Sequence, residues 1–261
     1  MSIRTVFLCL LILIPILYLT LRGTTVDSQL TKAYTSYTEG ERDTTNAGRK
    51  GAFNNSLQLY SELEKSYSPT FGNGKLYFNI ANSFFQLEQY PWAIYYYNEA
   101  QNLRPRDSRV VQNLQIAQKK QGIPVDKKES SFPFRLSLPE KLQLFFISSL
   151  LTFGLASIQI WSYGQFWRKL AFGFGGIAFL LFLNLMYVQY VEPLQGILVD
   201  SASLHRDAGE QYAKVSEKPL SSGIKIEVLD TKEHGEWLKI QTPDGQIGFV
   251  QKNAIRIIDT K

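Results

Sequence analysis

Two apolar stretches decide the fold of this chain: LQLFFISSLLTFGLASIQIWSY, residues 142–163, and LAFGFGGIAFLLFLNLMYVQYV, residues 170–191. Each is as long as the roughly 20 apolar residues that a helix needs to cross a bilayer core, and neither contains a charge. The connection between them carries Arg168 and Lys169. We therefore predict a transmembrane helical hairpin over residues 142–191, with the chain before it and the chain after it on one side of the membrane.

A third apolar run, Val6–Leu21, follows Arg4 near the amino terminus. It does not end in the small residues of a signal-peptidase site, so residues 1–26 are predicted to form an uncleaved membrane anchor. A cleaved signal peptide is the alternative. Positive residues of short loops stay in the cytoplasm. With three membrane spans, Arg4 before the first span and Arg168 and Lys169 between the second and third lie on the same side of the membrane, so both loops predict the same orientation. The expected location is the bacterial inner (cytoplasmic) membrane, multi-pass, with both soluble parts facing the periplasm.

The composition argues against several classes of function. The net charge of +5 is spread along 261 residues, and nucleic-acid binding would need a basic face. The single cysteine, Cys9, and the two distant histidines provide no metal-ligand spacing. Glu233, His234 and Glu236 lie together, but in a predicted turn where solvated side chains are the better interpretation. We expect no enzyme activity, no metal, no cofactor and no nucleic-acid partner.

A helical repeat is indicated between Gly74 and Asp107, a span of the length of one tetratricopeptide repeat, about 34 residues. Aromatic, apolar and small residues occur at the offsets that this repeat requires: Tyr77, Ile80, Ala81, Phe84, Ala93, Tyr97, Ala100 and Pro105. One helical pair cannot bury its own faces and needs neighbours. Ser56, Tyr60 and Leu63 indicate a degenerate second repeat upstream, and Val111, Leu114 and Ala117 a capping helix.

Residues 27–122 are therefore predicted to form an all-α tetratricopeptide-repeat domain. By their offsets, six residues are expected to line its peptide-binding groove, where amides could bind a peptide backbone and Lys75 a carboxylate: Lys75, Phe78, Asn79, Asn82, Phe85 and Asn113. The alternative is that Phe78 and Phe85 pack against the preceding repeat.

Residues 123–141 are predicted to be a linker into the membrane, and residues 192–261 a small all-β barrel. Short runs with the two-residue period of a strand alternate there with turn residues, including the Asp244-Gly245 hairpin signal. The predicted strands are Gln195–Val199, Ala202–Arg206, Lys225–Asp230, Trp237–Gln241, Gln246–Val250 and Ala254–Ile258.

The β region resembles bacterial SH3-type domains in three segments: Gly223-x-Lys225-x-Glu227-Val228-Leu229, then Trp237-x-Lys239-Ile240, then Asp244-Gly245-Gln246-x-Gly248-Phe249-Val250. Phe249 stands where that family more usually has tryptophan, and Leu204-His205 where it generally has Leu-Arg. The resemblance implies an SH3-like barrel. Tyr212, Trp237 and Phe249 could form an exposed aromatic surface for a peptide or for peptidoglycan, or Trp237 and Phe249 could belong to the core.

The whole arrangement, a multidomain membrane protein with an anchor, repeats, a two-span hairpin and an SH3-like domain, resembles the BatE-type family of the Bacteroides-aerotolerance (Bat) operon. The segment Tyr77–Phe85, YFNIANSFF, is similar to that family's YYNLGNAYY-type segment. The resemblance implies a non-catalytic membrane component that acts beside von Willebrand A-domain membrane proteins and a MoxR-type ATPase. We expect a scaffold that recruits proteins in an aerotolerance or stress complex; the alternative is a cell-envelope protein that binds peptidoglycan.

Overall fold

The computed structural model describes residues 26–67, 74–125, 136–161 and 165–258. Except for Val26, the predicted anchor over 1–26 lies outside these residues. The described residues form seven helices and a small antiparallel sheet, in two compact units, Met1–Gln89 and Tyr90–Lys261. The coarse prediction, a mostly helical chain with two potential membrane helices and a small β part, is confirmed.

The first unit contains α1 (residues 26–42), α2 (Asn46–Tyr67) and α3 (Lys75–Gln86). Small residues bring these helices close together. The hydroxyl of Ser56 on α2 is buried, donates to the Ala33 carbonyl of α1 at 2.9 Å and lies 3.5 Å from the Ser83 hydroxyl of α3. Phe53 fills the space beside this contact, with its ring 5.2 Å from that of Tyr37. Only residues 43–45 separate α1 from α2.

The second unit begins with a helical pair, α4 (Tyr90–Leu103) and α5 (Ser108–Gln121). The alanine and tyrosine positions of the predicted repeat, Ala93, Tyr97 and Ala100, are fully buried in it. Asp107 caps α5 by accepting from the backbone N–H of Arg109. Gly122 ends the helix in the left-handed conformation, which glycine adopts without strain.

Two long apolar helices follow, α6 (Leu138–Trp161) and α7 (Gln165–Tyr190), and both are long and apolar enough to cross a membrane. They pack against each other, with the rings of Phe145 and Phe182 6.3 Å apart. A Cβ added at Gly175 would lie 3.4 Å from the Thr152 side chain, so the absence of a side chain there allows close approach. Most other large side chains of the pair are exposed, as expected for helices surrounded by lipid.

The sheet has five strands: β1 (Leu194–Leu198), β2 (Lys225–Lys232), β3 (Trp237–Gln241), β4 (Ile247–Gln251) and β5 (Ile255–Ile257). Its order is β4-β3-β2-β1-β5, and every pairing is antiparallel. Alternate residues of these strands, such as Ile226, Leu238 and Val250, form one buried core with Leu204. Only residues 191–193 separate the end of α7 from the start of β1.

One predicted strand, Ala202–Arg206, is absent. The segment makes isolated bridges only, from Ala202 to Leu220 and from His205 to Lys214 and Phe249. Two backbone hydrogen bonds join His205 and Phe249, so the segment closes over β4 at a single point. A turn follows at Gly209, whose φ is 136°.

The helical pair also contacts the sheet within the second unit. The Gln121 amide donates to the hydroxyl and the carbonyl of Ser222, at 2.9 and 3.2 Å. The Arg256 guanidinium of β5 stacks over the Trp92 ring of α4 at 4.9 Å. The α4–α5 pair and the sheet are therefore joined by direct contacts as well as through the intervening chain.

Candidate functional site

The predicted groove residues of the first unit follow one stripe of α3. Lys75 is exposed, and Phe78, Asn79, Asn82 and Phe85 are half-buried, at the three- and four-residue spacing that places side chains on one helix face. The opposite face carries the buried residues Leu76, Ile80 and Ser83. The structure thus gives the five α3 residues of the prediction a shared, partly accessible face.

Two of the six predicted groove residues, Asn79 and Asn113, differ from the others. Asn79 forms a side-chain hydrogen bond with Tyr60, a buried tyrosine whose pKa is raised by desolvation, so this amide already has a partner within the unit. Asn113 lies in the second unit, half-buried on α5. The grouping of Asn113 with the α3 residues remains a prediction.

The predicted aromatic surface of the β region is divided. Trp237 and Phe249 are only 8% and 5% exposed and form a buried cluster with Ala208, whereas Tyr212 is 44% exposed. Of the two alternatives for Trp237 and Phe249, the structure therefore has them in the core. Both side chains lie on the sheet face opposite to the core residues Leu238 and Val250, and they are buried there because His205 and its loop cover them. The His205 ring meets the Trp237 ring edge-on at 5.5 Å.

Trp237 still borders two open clefts, and Gln251 and Asn253 also line both of them. The first cleft, of about 540 Å³, is bordered mainly by polar and charged residues: Asp200, Ser201, Ser203, His205, Glu210, Lys214, Gln251 and Asn253. The His205 Nδ1 lies 3.0 Å from the Tyr212 carbonyl, and Gln251 donates to the Glu210 carboxylate at 2.8 Å. These bonds fix three side chains of the cleft wall, those of His205, Gln251 and Glu210.

The second cleft, of about 850 Å³, is more apolar. It extends from Trp237 along the edge strand β5 and includes Ile255, Arg256 and Ile257. Arg256 is held over Trp92 of α4, so this cleft opens where the sheet adjoins the helical pair.

The chemistry of the polar cleft favours binding through hydrogen bonds and charge. Its lining includes the acidic residues Asp200 and Glu210, the basic residue Lys214 and the largely buried Trp237. Beside it, the pKa of Asp207 is lowered, first by the hydrogen bond from the Ala208 N–H and then by the Lys232 ammonium. Within the part of the chain that the structure describes, no cluster of His, Cys, Asp and Glu could hold a metal ion.

Sequence reasoning missed most of this cleft, because its residues come from four separate segments between Asp200 and Ala254.

The start of α6 has a local sequence signal that the sequence analysis did not use. Ser137-x-x-Glu140 is the sequence of a capping box, and in the structure Ser137 N–H donates to the Glu140 carboxylate at 2.9 Å while Glu140 N–H points to the Ser137 hydroxyl at 3.4 Å. This box starts α6.

No protein-family model matches the chain, and no curated protein is significantly similar to it.

Proposed function

We propose that this protein is a non-catalytic, membrane-anchored scaffold that recruits proteins through tetratricopeptide-type helices and an SH3-like domain. One observation carries the proposal: the helical pair and the sheet both lie at one end of the α6–α7 hairpin. Arg106 of the α4–α5 connection pairs with Glu140 at the start of α6, and β1 begins four residues after the end of α7. A hairpin that crosses the inner membrane then presents both parts to the periplasm.

The resemblance to the BatE-type family extends the proposal to partners. Von Willebrand A-domain membrane proteins and a MoxR-type ATPase complex are the proteins that such a scaffold would assemble. The accessible face of α3 is the proposed contact in the first unit, because Asn82 and Lys75 provide polar groups beside the apolar Phe78 and Phe85.

Affinity purification from gently solubilised membranes tests this function. Recovery of a von Willebrand A-domain protein with the wild-type chain, and its loss with Lys75→Glu, is the expected result. Lys65→Glu, a charge reversal of another exposed lysine in the same unit, is the matched control and should keep the partner. Purification of the chain without any membrane or ATPase partner would overturn the proposal.

A second function, binding of peptidoglycan by a cell-envelope protein, is favoured by the polar cleft beside Trp237. Glycan and stem-peptide ligands combine hydroxyl, amide and charged groups over apolar ring faces, and this cleft offers complementary groups over an indole. Cosedimentation of the solubilised full chain with purified cell wall tests it.

The informative variant for that experiment is Glu210→Gln with Lys214→Met, which removes two cleft charges and leaves the net charge unchanged. Glu217→Gln with Lys218→Met makes the same two changes at exposed positions that do not line the cleft. Peptidoglycan binding predicts that the first double variant loses pelleting and the second retains it. Absence of pelleting by the wild-type chain removes this function.

A further inference from the structure

Three arginines lie in or next to the connection between α4 and α5, and two of them, Arg104 and Arg109, pair with the carboxylate of Asp107. Arg104 donates to the Asp107 Oδ2 at 2.8 Å, and Arg109 donates to both oxygens of Asp107, at 3.1 and 2.9 Å. Asp107 also caps α5 through the Arg109 N–H. The connection is therefore ordered by its own ion pairs, and its arginines have defined positions.

The third arginine fixes this connection against the first turn of α6. Arg106 forms an ion pair with Glu140, the residue that completes the capping box with Ser137. The uninterrupted apolar run of α6 begins two residues later, at Leu142. When α6 crosses a membrane, the α4–α5 connection consequently lies at the level of the phospholipid headgroups.

Positive charge is in excess at this level. Three guanidinium groups face the two carboxylates of Asp107 and Glu140, and Lys141 adds a further cation next to them. The side chains of Arg106 and Arg109 are 51% and 69% exposed. A guanidinium has five N–H donors in a planar fork, which is more than these carboxylate contacts use, and the fork matches the oxygens of a phosphate.

We propose that Arg106 and Arg109 form a binding site for the phosphate of an anionic phospholipid headgroup, with Arg104 and Lys141 contributing charge. The inference rests on the membrane crossing in the proposed function. The site holds the helical pair against the membrane surface, and it selects anionic over zwitterionic lipid because the excess positive charge is neutralised only by a ligand with a net negative charge.

Native mass spectrometry of the delipidated full chain tests the site. The chain is titrated with phosphatidylglycerol and, separately, with phosphatidylethanolamine, and bound lipids are counted as adducts. Wild type should bind phosphatidylglycerol more tightly, and Arg106→Gln with Arg109→Gln should weaken that binding about thirtyfold, since each of the two basic residues contributes about 1 kcal/mol near an anionic surface. Arg168 and Lys169, near the start of α7, are unchanged in all variants, so their contribution is constant.

Two variants make the result specific. Lys119→Gln with Lys120→Gln removes the same charge from exposed positions in the last turn of α5, about 15 Å along the helix from Arg109, and should leave binding unchanged. Arg106→Lys with Arg109→Lys keeps the charge and should retain most of the preference even where the glutamine variant is poorly folded. Equal binding of both lipids by wild type, or equal loss in the Lys119/Lys120 variant, overturns the inference.

A competition experiment with inorganic phosphate distinguishes a lipid ligand from a soluble one. Excess inorganic phosphate should not displace phosphatidylglycerol, whose acyl chains add to its affinity; displacement that depends on Arg106 and Arg109 would assign the site to a soluble anion and overturn the lipid. Carbonate extraction of membranes distinguishes the two levels of failure. A chain released by carbonate contradicts the membrane anchoring of the proposed function, whereas a chain that stays in the membrane without lipid preference contradicts only this site.

Discussion

At the scale of single residues, two contacts are expected to contribute most to stability: the loop that lies over Gly248 and the helix cap at Asp107. Gly248 of β4 lies under the loop of Leu204 and His205: a Cβ there would be 2.6 Å from the His205 carbonyl oxygen and 2.7 Å from the Leu204 side chain. The loop can pair with Phe249 only because Gly248 has no side chain. The second contact is the Asp107 cap of α5, whose carboxylate pairs with Arg104 before the helix and with Arg109 in its first turn.

Gly248→Ala is expected to destabilise the β region by about 1–3 kcal/mol, the usual cost of overpacking against backbone. Faster hydrogen exchange of peptides from residues 202–215 and 247–251, in the solubilised full chain, is the measurement. Gly51→Ala is the matched control, because no atom lies within 4 Å of the added carbon and the position is helical. It should stabilise α2 slightly, since alanine is the better helix former. Unchanged exchange in Gly248→Ala would contradict the described contact.

Asp107→Asn should lower stability by about 1–2 kcal/mol at neutral pH, because it removes the charged hydrogen bonds with Arg104 and Arg109 while asparagine still caps the helix. It should also flatten the dependence of stability on acid. Hydrogen bonds from Arg109 hold the pKa of Asp107 at about 2, below the unfolded value of about 3.9. The unfolded chain therefore binds more protons between these values, and the contribution of Asp107 is complete above pH ~4 and lost as the pH falls to ~2. Urea unfolding of wild type and variant across this range measures the difference, and parallel curves would refute it.

The residue scale also shows what the sequence could and could not predict. Ile80, Ala93, Tyr97 and Ala100 are buried where the repeat spacing requires buried residues, because helical periodicity encodes burial directly. For an aromatic residue on a strand, the local sequence pattern does not determine whether the side chain is buried. The burial of Trp237 depends on His205, a residue 32 positions earlier in the chain, and local patterning does not contain that contact.

At the scale of elements, small residues allow the two helices of the α6–α7 hairpin to pack closely together. Thr152 lies against Gly175, and the Thr152 hydroxyl donates to the Ser148 carbonyl of its own helix at 2.8 Å. Without a hydrophobic driving force between helices in lipid, such close packing is a principal source of association. The length and position of both helices were predictable because uncharged apolar runs of this length are typical of membrane-spanning helices.

Gly175→Leu should separate the two helices and lower the stability of the hairpin by about 1–3 kcal/mol. The larger side chain meets Thr152, which cannot retreat because its hydroxyl is bonded within α6. Gly173→Leu adds the same side chain where no atom lies within 4 Å. Thermal unfolding in one detergent should show an apparent Tm lower by several degrees for Gly175→Leu alone. Equal Tm values for the two variants would contradict the packing.

Among the β elements, the sequence predicted five strands near their observed positions and one that is absent, Ala202–Arg206. Alternation of apolar and polar residues was the signal in all six. It fails at 202–206 because Leu204 is buried by a single crossing over β4, and a crossing segment has the same pattern as a paired strand. A paired strand and a crossing segment differ in their backbone hydrogen-bond partners, and these partners are determined by the tertiary fold.

At the scale of the whole molecule, the orientation in the membrane is the property with the most consequences, and it remains a prediction. Single cysteines at Asn46, Gln165 and Asp244, in a chain with Cys9→Ser, should react with an impermeant thiol reagent on the outside, inside and outside, respectively. The hairpin requires that Asn46 and Asp244 agree. Labelling of these two from opposite sides would exclude a two-span hairpin between them, and inside labelling of both would reverse the orientation.

The three residues between α7 and β1 restrict where a partner can be met. Fully extended, they span only about 10 Å, so the sheet and its two clefts cannot travel away from the end of α7. A partner confined to the same bilayer searches a thin layer in which its effective concentration at the clefts is high, whereas a freely diffusing partner is diluted through the whole compartment. The short connection thereby gives membrane-bound partners a kinetic advantage before any side chain distinguishes them.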